Sequence, residues 1–307
     1  MKLYTAAVYT NSYRQGQNRY VKLNEREREI ADTCPNILES YHYVGSQKFV
    51  DAMRATNAEV FLDSGAFSAK SLGVDIDIDA YCDYIIRNRD ILRVEDGVYM
   101  ASVLDGIGDP LKTWQNQIYM EQHGATPLPC FHFGEDERYL EWYVKNYPYI
   151  TIGGMVRTSA EDVMRWLDRI WENYMIDGSG RPRLKVHAFG VTTVSLMERY
   201  PWWSVDSSSW IQAAAFGSVF TSEMGVICVS EKSPSRHVAG QHASTLSDIQ
   251  AKAVFDMFER KGFNYERLSS VYESRAILNL LGYRELNDIL NQQMDGTFHC
   301  TTQDLFQ

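Results

Sequence analysis

The chain has 307 residues, of which 45% are hydrophobic, so it can bury a large core. It contains no apolar run of about 18 residues, and its first segment turns polar too early for a secretory signal, so we expect neither a membrane span nor a signal peptide. The net charge of −10 argues against a surface that is basic all over, but not against local basic clusters. The five cysteines are scattered and odd in number, which favours a reducing cytoplasm over a disulfide scaffold.

Short apolar segments recur along residues 1–245. They are rich in Val, Ile, Tyr and Phe, and their nearly continuous apolarity is typical of strands buried on both faces. A spare strand candidate at 40–44 blurs the count. The predicted strands lie at 3–9, 60–64, 99–105, 127–133, 149–154, 184–190, 202–208 and 225–230.

Helical patterns fill the intervals between these strands. Asp79 and Ser159 are candidate N-caps, the latter with Asp162 three residues further on. The repeated βα order predicts an α/β fold, a (β/α)₈ TIM barrel over residues 1–245. Residues 246–307 carry apolar residues at three and four spacing, and we expect additional C-terminal helices packed on the barrel within the same domain. The helices between strands are predicted at 46–57, 79–92, 111–123, 136–146, 159–174 and 209–216.

Polar residues and glycines follow successive predicted strands, at the carboxyl ends where barrel enzymes build their sites. Carboxylates grouped in a cleft suit substitution at a sugar anomeric carbon, where one attacks and another carries protons. Glycine turns let backbone N–H groups approach a flat ligand. Asp109 is interpreted as the turn or cap before Pro110. The candidate site residues are Asp63, Ser64, Gly65, Asp105, His132, Gly153, Gly154, His187 and Asp206.

Two loop-like segments, 11–22 and 230–242, are locally basic despite the acidic whole. Both are rich in Ser, Gln, Gly or Asn, and such loops can follow a phosphate backbone and stack bases. An ordinary solvated loop is the competing interpretation of each. Their candidate nucleic-acid-binding cations are Arg14, Arg19, Lys22, Lys232 and Arg236.

The ordered motifs across residues 60–210 resemble the tRNA-guanine transglycosylases and their DNA-acting relatives, often encoded by phages (the DpdA group). "LDSGAFS" is similar to the family signature Asp-Ser-Gly-Gly-Phe/Tyr, with Ala66 in place of the second glycine. "VLDGIGDP", "TIGGMV" and "WWSVDSSSW" stand where the family has its base-recognising Asp, its Gly-Gly turn and its nucleophilic Asp. The family glutamine after the fourth strand is absent, and His132 stands near its place.

The chain also lacks the Cys-x-Cys-x-x-Cys zinc cluster of the tRNA enzymes, which favours the DNA-acting branch. Cys228, His237 and His242 lie in the matching region, but their spacing is unusual and we interpret them as loop residues. We therefore expect no metal and no cofactor.

The resemblance implies exchange of guanine in DNA for a 7-deazaguanine base, such as 7-cyano-7-deazaguanine. Asp206 would be the nucleophile, Asp63 the general acid/base, and Asp105 the acceptor for the base. The remaining site residues would line the base. An extruded base needs an aromatic stacking partner, and the candidates are Phe67, Trp202, Trp203 and Trp210. We expect at least two of these four side chains to pack in the core instead.

Three alternatives stay open: the same exchange on tRNA, a glycoside hydrolase with paired carboxylates, and a non-catalytic barrel that only binds a partner. Loss of the nucleophile would mark the last, and Asp206 is present. We expect a cytoplasmic protein, in the host cytoplasm if a phage encodes it.

Overall fold

The computed structural model describes residues 1–156, 158–293 and 296–298, and Cys300 lies outside this range. The chain is an α/β protein. Its strands are β1 (Lys2–Ala6), β2 (Ile37–Ser40), β3 (Val60–Asp63), β4 (Val94–Glu95), β5 (Val98–Tyr99), β6 (Cys130–His132), β7 (Tyr149–Gly153), β8 (Lys185–Ala188), β9 (Ser204–Ser207), β10 (Ser218–Thr221) and β11 (Gly225–Cys228). Its helices are α1 (Glu25–Asp32), α2 (Tyr41–Val44), α3 (Gln47–Ala55), α4 (Ala66–Ser71), α5 (Ile78–Arg87), α6 (Pro110–Gln122), α7 (Glu137–Asn146), α8 (Ala160–Ile170), α9 (Val194–Arg199), α10 (Ser209–Ala215), α11 (Asp248–Arg260), α12 (Tyr265–Ser270) and α13 (Tyr272–Gln293).

The chain divides into two compact units. The first contains Met1–Thr10, Asn36–Ser207 and the described residues from Leu290 onward, and the second contains Asn11–Pro35 and Ser208–Ile289. The predicted limit between 1–245 and 246–307 falls inside the second unit.

The first unit is built on a seven-stranded sheet with the strand order β3-β2-β1-β9-β8-β7-β6. Every pair in it is parallel. The register sets Asp63 beside Ser40 and Asp206 beside Tyr4. Parallel pairing brings the carboxyl ends of these strands to one edge, where sites of α/β folds form.

Residues 101–103, which form no regular strand, lie against both edges of this sheet. Ala101 makes an isolated parallel bridge to Leu62 of β3, and Ser102 makes one to Leu128, just before β6. Backbone hydrogen bonds accompany them, from Ser102 N to Leu62 O at 2.9 Å and from Val103 N to Leu128 O at 2.9 Å. This segment leads directly to Asp105, so its pairing positions that side chain.

Large apolar side chains from several strands form a core cluster of this unit. Burying an aromatic or aliphatic side chain of this size contributes about 1.5–3 kcal/mol, so such a cluster supplies much of the rigidity a site requires. Its buried members are Tyr4, Ala6, Leu38, Phe61, Met100, Leu128 and Tyr149.

The helices follow the predicted pattern, with small shifts at their starts. Ser159 caps α8 by accepting a hydrogen bond from Asp162 N at 3.1 Å, as predicted. Asp109 likewise caps α6, accepting from Lys112 N at 3.0 Å, with Pro110 as the first helical residue. The Asp79 cap was wrong: Asp77 caps α5 by accepting from Ala80 N, and Asp79 lies in the first turn.

The spare strand predicted at 40–44 was wrong, because those residues end β2 and form α2. The strand lies earlier, and its pattern is obscured by Glu39, a fully buried carboxylate in its interior. Glu39 is accommodated because it accepts hydrogen bonds from Tyr9 N at 2.5 Å and from the Thr10 hydroxyl at 2.8 Å.

Two other predicted strands also differ. Of 99–105 only Tyr99 lies in a strand, β5, which pairs antiparallel with β4. Of 225–230, residues 225–228 form β11, which pairs antiparallel with β10 outside the main sheet. Val226 is 64% exposed, so this run is not buried on both faces as its apolarity suggested. In the described residues, the main sheet therefore has seven strands rather than the eight predicted.

The second unit combines the β10–β11 hairpin with helices, among them the predicted C-terminal ones. Asn279 of α13 ties its parts together: its amide donates to Trp210 O at 2.8 Å and its oxygen accepts from Phe220 N at 2.6 Å. Trp210 is fully buried and meets Tyr13 edge to face. In the described residues, none of the helices has the length together with the apolarity needed to cross a membrane.

Candidate functional site

Asp63 ends β3, and two hydrogen bonds fix its carboxylate. Oδ2 accepts from Gly65 N at 3.0 Å and Oδ1 accepts from the Ser102 hydroxyl at 3.4 Å. Burial, reinforced by the negative charges of Asp105 and Asp206, raises the pKa of Asp63 to about 7. A carboxyl group with such a pKa can give and take a proton near neutral pH.

Asp206 lies in β9 and is 7% exposed. Its Oδ1 accepts a hydrogen bond from Gly190 N at 2.8 Å and lies 3.4 Å from His187 Nε2. Among the described residues, no hydrogen bond involves its second carboxylate oxygen. A nearly buried carboxylate held from one side by a backbone N–H has a fixed orientation, and a carboxylate so fixed can act as a nucleophile or stabilise a positive charge.

His187 is fully buried behind Asp206. Its Nδ1 lies 2.8 Å from the Ser204 hydroxyl oxygen. Among the described residues, its Nε2 has no hydrogen-bond partner with good geometry. Burial lowers the pKa of His187, against the opposing effect of Asp206, so a neutral ring is favoured. The aromatic rings of Tyr4, Phe61 and Phe189 surround it. His187, predicted as a substrate-binding residue, is thus buried in direct contact with Asp206.

Asp105 and His132 lie side by side, Asp105 after the segment that bridges to β3 and His132 at the end of β6. Asp105 Oδ2 is 3.5 Å from His132 Nε2, and the Asp105 side chain is 9% exposed. Its Oδ1 is buried and has no hydrogen-bond partner among the described residues. Burial would lower the pKa of His132, but Cys130 and Asp105 raise it above its usual value. A buried acceptor without a donor is costly unless a ligand supplies one.

Glu135 and Cys130 complete this part of the site. Glu135 Oε1 lies 3.1 Å from His132 Nδ1, and its Oε2 accepts from His132 N at 3.0 Å. Cys130 Sγ lies 3.5 Å from His132 Nε2. Neither residue was among the predicted site residues. Period-two alternation was the available signal, because it places residues 130 and 132 of one strand on the same face.

The glycines of the predicted turns differ in how closely other atoms approach them. Gly65 has a φ of +78°, and a Cβ there would come within 2.5 Å of His42 Cβ and closer still to Ser40 Oγ. Gly154 has a φ of +75°, and a Cβ there would lie 3.0 Å from Phe133 N. A Cβ on Gly153 would lie 3.3 Å from His132 Cδ2 and 3.6 Å from Cys130 Sγ. The Gly153 backbone thus lies against the residues that approach Asp105.

Ser64 is fully buried within the turn that follows β3. Its backbone N donates to the Ser102 hydroxyl at 3.0 Å, and its own hydroxyl accepts from Ala66 N at 3.4 Å. Ser102, which sequence reasoning missed, therefore bonds both Ser64 and Asp63. These contacts make Ser64 a residue that shapes the turn.

The four aromatic candidates for base stacking differ in how exposed their side chains are. Trp202 and Trp210 are buried, as expected of at least two of them. Trp203 precedes β9, at the opposite end from Asp206, and its ring lies under Lys2 and Lys185. Phe67 is 50% exposed on α4, four residues after Asp63. Of the four, Phe67 alone combines an exposed ring with a place beside a site turn.

The five basic candidates all lie in the second unit, and they differ in availability. Arg14 is buried, and its guanidinium donates to the carbonyl oxygens of Ala31 at 2.5 Å and Asp32 at 3.1 Å, so it stabilises the fold locally. Lys22 pairs with Glu273 at 2.8 Å. The Arg19 guanidinium lies over the Tyr272 ring at 4.9 Å. Lys232 and Arg236 are exposed.

Cys228, His237 and His242 also lie in the second unit. His242 is buried, with Nδ1 2.8 Å from the Ser244 hydroxyl and Nε2 3.1 Å from Ser230 O, whereas His237 is exposed. Cys228 Sγ is 3.2 Å from the Ser218 hydroxyl. In the described ranges these three do not form a metal-ligand cluster.

Comparison with protein-family models found no match, and comparison with curated proteins found none either.

Proposed function

We propose that this chain exchanges guanine in DNA for a 7-deazaguanine base through a covalent aspartyl intermediate. The observation that carries the proposal is the pairing of a fixed, nearly buried carboxylate, Asp206, with a proton carrier, Asp63, whose pKa is about 7. The negative charge of Asp206 contributes to the raised pKa of Asp63, so the two carboxylates interact.

In the first step Asp206 attacks C1′ of a deoxyguanosine, and the bond from C1′ to the base breaks. Asp63, partly protonated at neutral pH, gives its proton to the departing guanine. In the second step Asp63 takes a proton from the incoming 7-deazaguanine, whose nitrogen attacks C1′ and releases Asp206. Protons and bonds balance over the cycle, so the exchange needs no external energy source.

Base recognition is assigned to Asp105. Its Oδ1 is buried without a partner among the described residues, which suits an acceptor for the N1–H and amino group that guanine and its 7-deaza analogue share. The backbone at Gly153 and Gly154 lies alongside, and the exposed ring of Phe67 is a stacking surface. A base paired in a duplex must be extruded to reach such a site.

The proposal includes closure of the parallel sheet into a (β/α)₈ barrel. Residues 100–104 would be the eighth strand, which the bridges from Ala101 to Leu62 and from Ser102 to Leu128 support. The carboxylates would then stand at the carboxyl-terminal mouth, as in barrel enzymes generally.

The direct test is incorporation of labelled guanine into DNA, with tRNA as the parallel substrate. We expect label in DNA and, with a 7-deazaguanine supplied, the modified nucleoside in hydrolysed DNA by mass spectrometry. Label in tRNA alone would move the activity to RNA. Sugar release from oligosaccharides without base exchange would favour a glycoside hydrolase, which shares the two carboxylates.

Asp206→Asn should abolish the covalent protein–DNA adduct and lower the exchange rate by at least about 10³-fold, because an amide cannot replace the nucleophile. The swap is nearly isosteric, so circular dichroism and melting should match the parent. Asp109→Asn is the matched control, since Asn also caps helices well, and it should keep the adduct. An adduct at normal yield in Asp206→Asn would remove this assignment.

A further inference from the structure

Donor atoms of three different kinds meet beside β6. Asp105, Cys130 and His132 each offer one ligand atom, and these atoms all lie within 4.8 Å of one another. Cys130 is buried, and the side chains of His132 and Asp105 are 12% and 9% exposed. A thiol, an imidazole and a carboxylate are the protein ligands that zinc uses.

Two of the three distances between these donor atoms match those between ligands of one zinc ion, and the third pair, Asp105 and Cys130, lies within 4.8 Å. His132 Nε2 lies 3.5 Å from Asp105 Oδ2 and 3.5 Å from Cys130 Sγ. A charge-assisted N–H···O bond spans about 2.7–2.9 Å, so the carboxylate stands too far away for one. Ligand atoms about 2.0–2.3 Å from a tetrahedral zinc ion lie about 3.3–3.8 Å from one another.

The surroundings of His132 are those of a metal ligand. Its Nδ1 is 3.1 Å from Glu135 Oε1, and Glu135 is held in turn by His132 N at 3.0 Å. A carboxylate on one ring nitrogen fixes the tautomer and leaves the other nitrogen, here Nε2, for a metal. Nε2 is the atom that faces both Asp105 and Cys130.

Two further observations indicate that the cluster accepts something from outside. Asp105 Oδ1 is buried and, within the described ranges, has no hydrogen-bond partner. Gly153 borders the cluster without a side chain, and a Cβ there would lie 3.6 Å from Cys130 Sγ and 3.7 Å from His132 Nε2. The glycine thus keeps space open beside the donor atoms.

We propose that Asp105 Oδ2, Cys130 Sγ and His132 Nε2 bind one divalent ion of the class that prefers thiolate and imidazole, with zinc as the representative. Three protein ligands leave a fourth position for water or a ligand, as in zinc sites that are not purely structural. This proposal replaces the expectation of a metal-free chain. The binding of the ion does not depend on the proposed function. A role of the ion in base recognition, with Asp105 Oδ1 still free as an acceptor, does rest on the proposed function.

The experiment titrates the full chain, stripped with a chelator, with Zn²⁺ alone and with Co²⁺ alone, in the absence of nucleic acid. We expect one tightly bound Zn²⁺ per chain in competition with a chromogenic chelator. We also expect a thiolate-to-cobalt charge-transfer band with Co²⁺. Because neither readout involves base exchange, a failure here is distinct from a failure of the proposed reaction.

Cys130→Ser should abolish the cobalt–thiolate band, while Cys82→Ser, a buried cysteine outside the cluster, should keep it. Glu135→Gln should retain the band and weaken zinc binding by about 10- to 100-fold, as loss of a supporting carboxylate does. The parent spectrum does not depend on any variant folding. No tight Zn²⁺ site in the parent, or a band that survives Cys130→Ser, would overturn the proposal in favour of a charged His132 paired with its carboxylates.

Discussion

At the scale of single residues, the raised pKa of Asp63 lowers the free energy of unfolding at neutral pH. Burial, with the charges of Asp105 and Asp206, raises its pKa to about 7, above the usual value near 4 for an aspartate in an unfolded chain. The folded chain therefore holds this proton more tightly than the unfolded chain. As pH rises from about 4 to about 7, the unfolded state loses the proton first, and the free energy of unfolding falls.

Asp63→Asn should remove this titration and so stabilise the chain at neutral and higher pH. Since Asp63 is partly exposed, we expect a gain on the order of 1–3 kcal/mol at pH 8 that shrinks towards pH 4, together with loss of exchange activity. Urea unfolding of both proteins across this pH range measures the difference. An advantage that did not depend on pH would contradict the assigned pKa.

At the scale of elements, the turn between β3 and α4 depends on one glycine. Gly65 is the left-handed N-cap of α4, with a φ of +78°. Its Cα faces Ser40 and His42, which leave no space for a methyl group. This turn also supplies the backbone N–H that holds Asp63, so its geometry and that of the proposed proton carrier are linked.

Gly65→Ala should therefore cost about 2–5 kcal/mol, which combines left-handed strain with overpacking. Gly73→Ala is the matched control: its φ is +67°, but a Cβ there meets nothing within 4 Å. It should cost only the strain, about 1–2 kcal/mol. Denaturant midpoints of the two variants give the comparison, and equal losses would show that the close approach to Ser40 and His42 does not matter.

The sequence predicted the elements whose apolar residues form long, uninterrupted patterns. Strands β1, β3, β6, β7, β8 and β9 and most helices lie where expected, because burial on both faces leaves a clear signal. The β2 strand was missed because its buried Glu39 looks like a surface residue until its tertiary hydrogen bonds are known. The prediction of a buried sheet strand at 225–230 was wrong because apolarity alone does not distinguish a hairpin strand from a central strand.

For the site, the sequence located the carboxylates but not their supports. Asp63 and Asp206 lie in parallel strands of one sheet, and Asp105 follows the segment that bridges to its edge, so the predicted strand order already grouped these three carboxylates. The roles of Ser102 and Gly190 depend on distances across the sheet that no local pattern encodes. The burial of Arg14 was equally hidden, because its carbonyl partners lie in another part of its unit.

At the scale of the whole molecule, a net charge of −10 means that the chain as a whole repels a polyanion. The proposed binding to DNA would then depend on local clusters of cations. Arg14 is buried, Arg19 lies over the Tyr272 ring and the exposed Lys22 is paired with Glu273. Lys232 and Arg236 are the exposed members of the predicted set that have no ion-pair partner among the described residues. The structure thus narrows the proposed phosphate track to the segment around residues 230–242.

Arg236→Ala should weaken DNA binding for all sequences alike and lower the slope of log affinity against log salt by about 1, since a phosphate contact releases counterions. Arg138→Ala is the matched control, because Arg138 is an exposed arginine in the other unit whose side chain already pairs with Asp136. It should leave the slope unchanged. Asp105→Ala should also keep the slope and instead impair the choice of base, because Asp105 is proposed to face the base rather than the backbone. The measurement is fluorescence anisotropy across a salt series with one labelled single strand. If Arg236→Ala kept the parent slope while Asp105→Ala still altered base choice, the segment at 230–242 would not be the phosphate track, and the cations that hold DNA would have to lie elsewhere on the molecule.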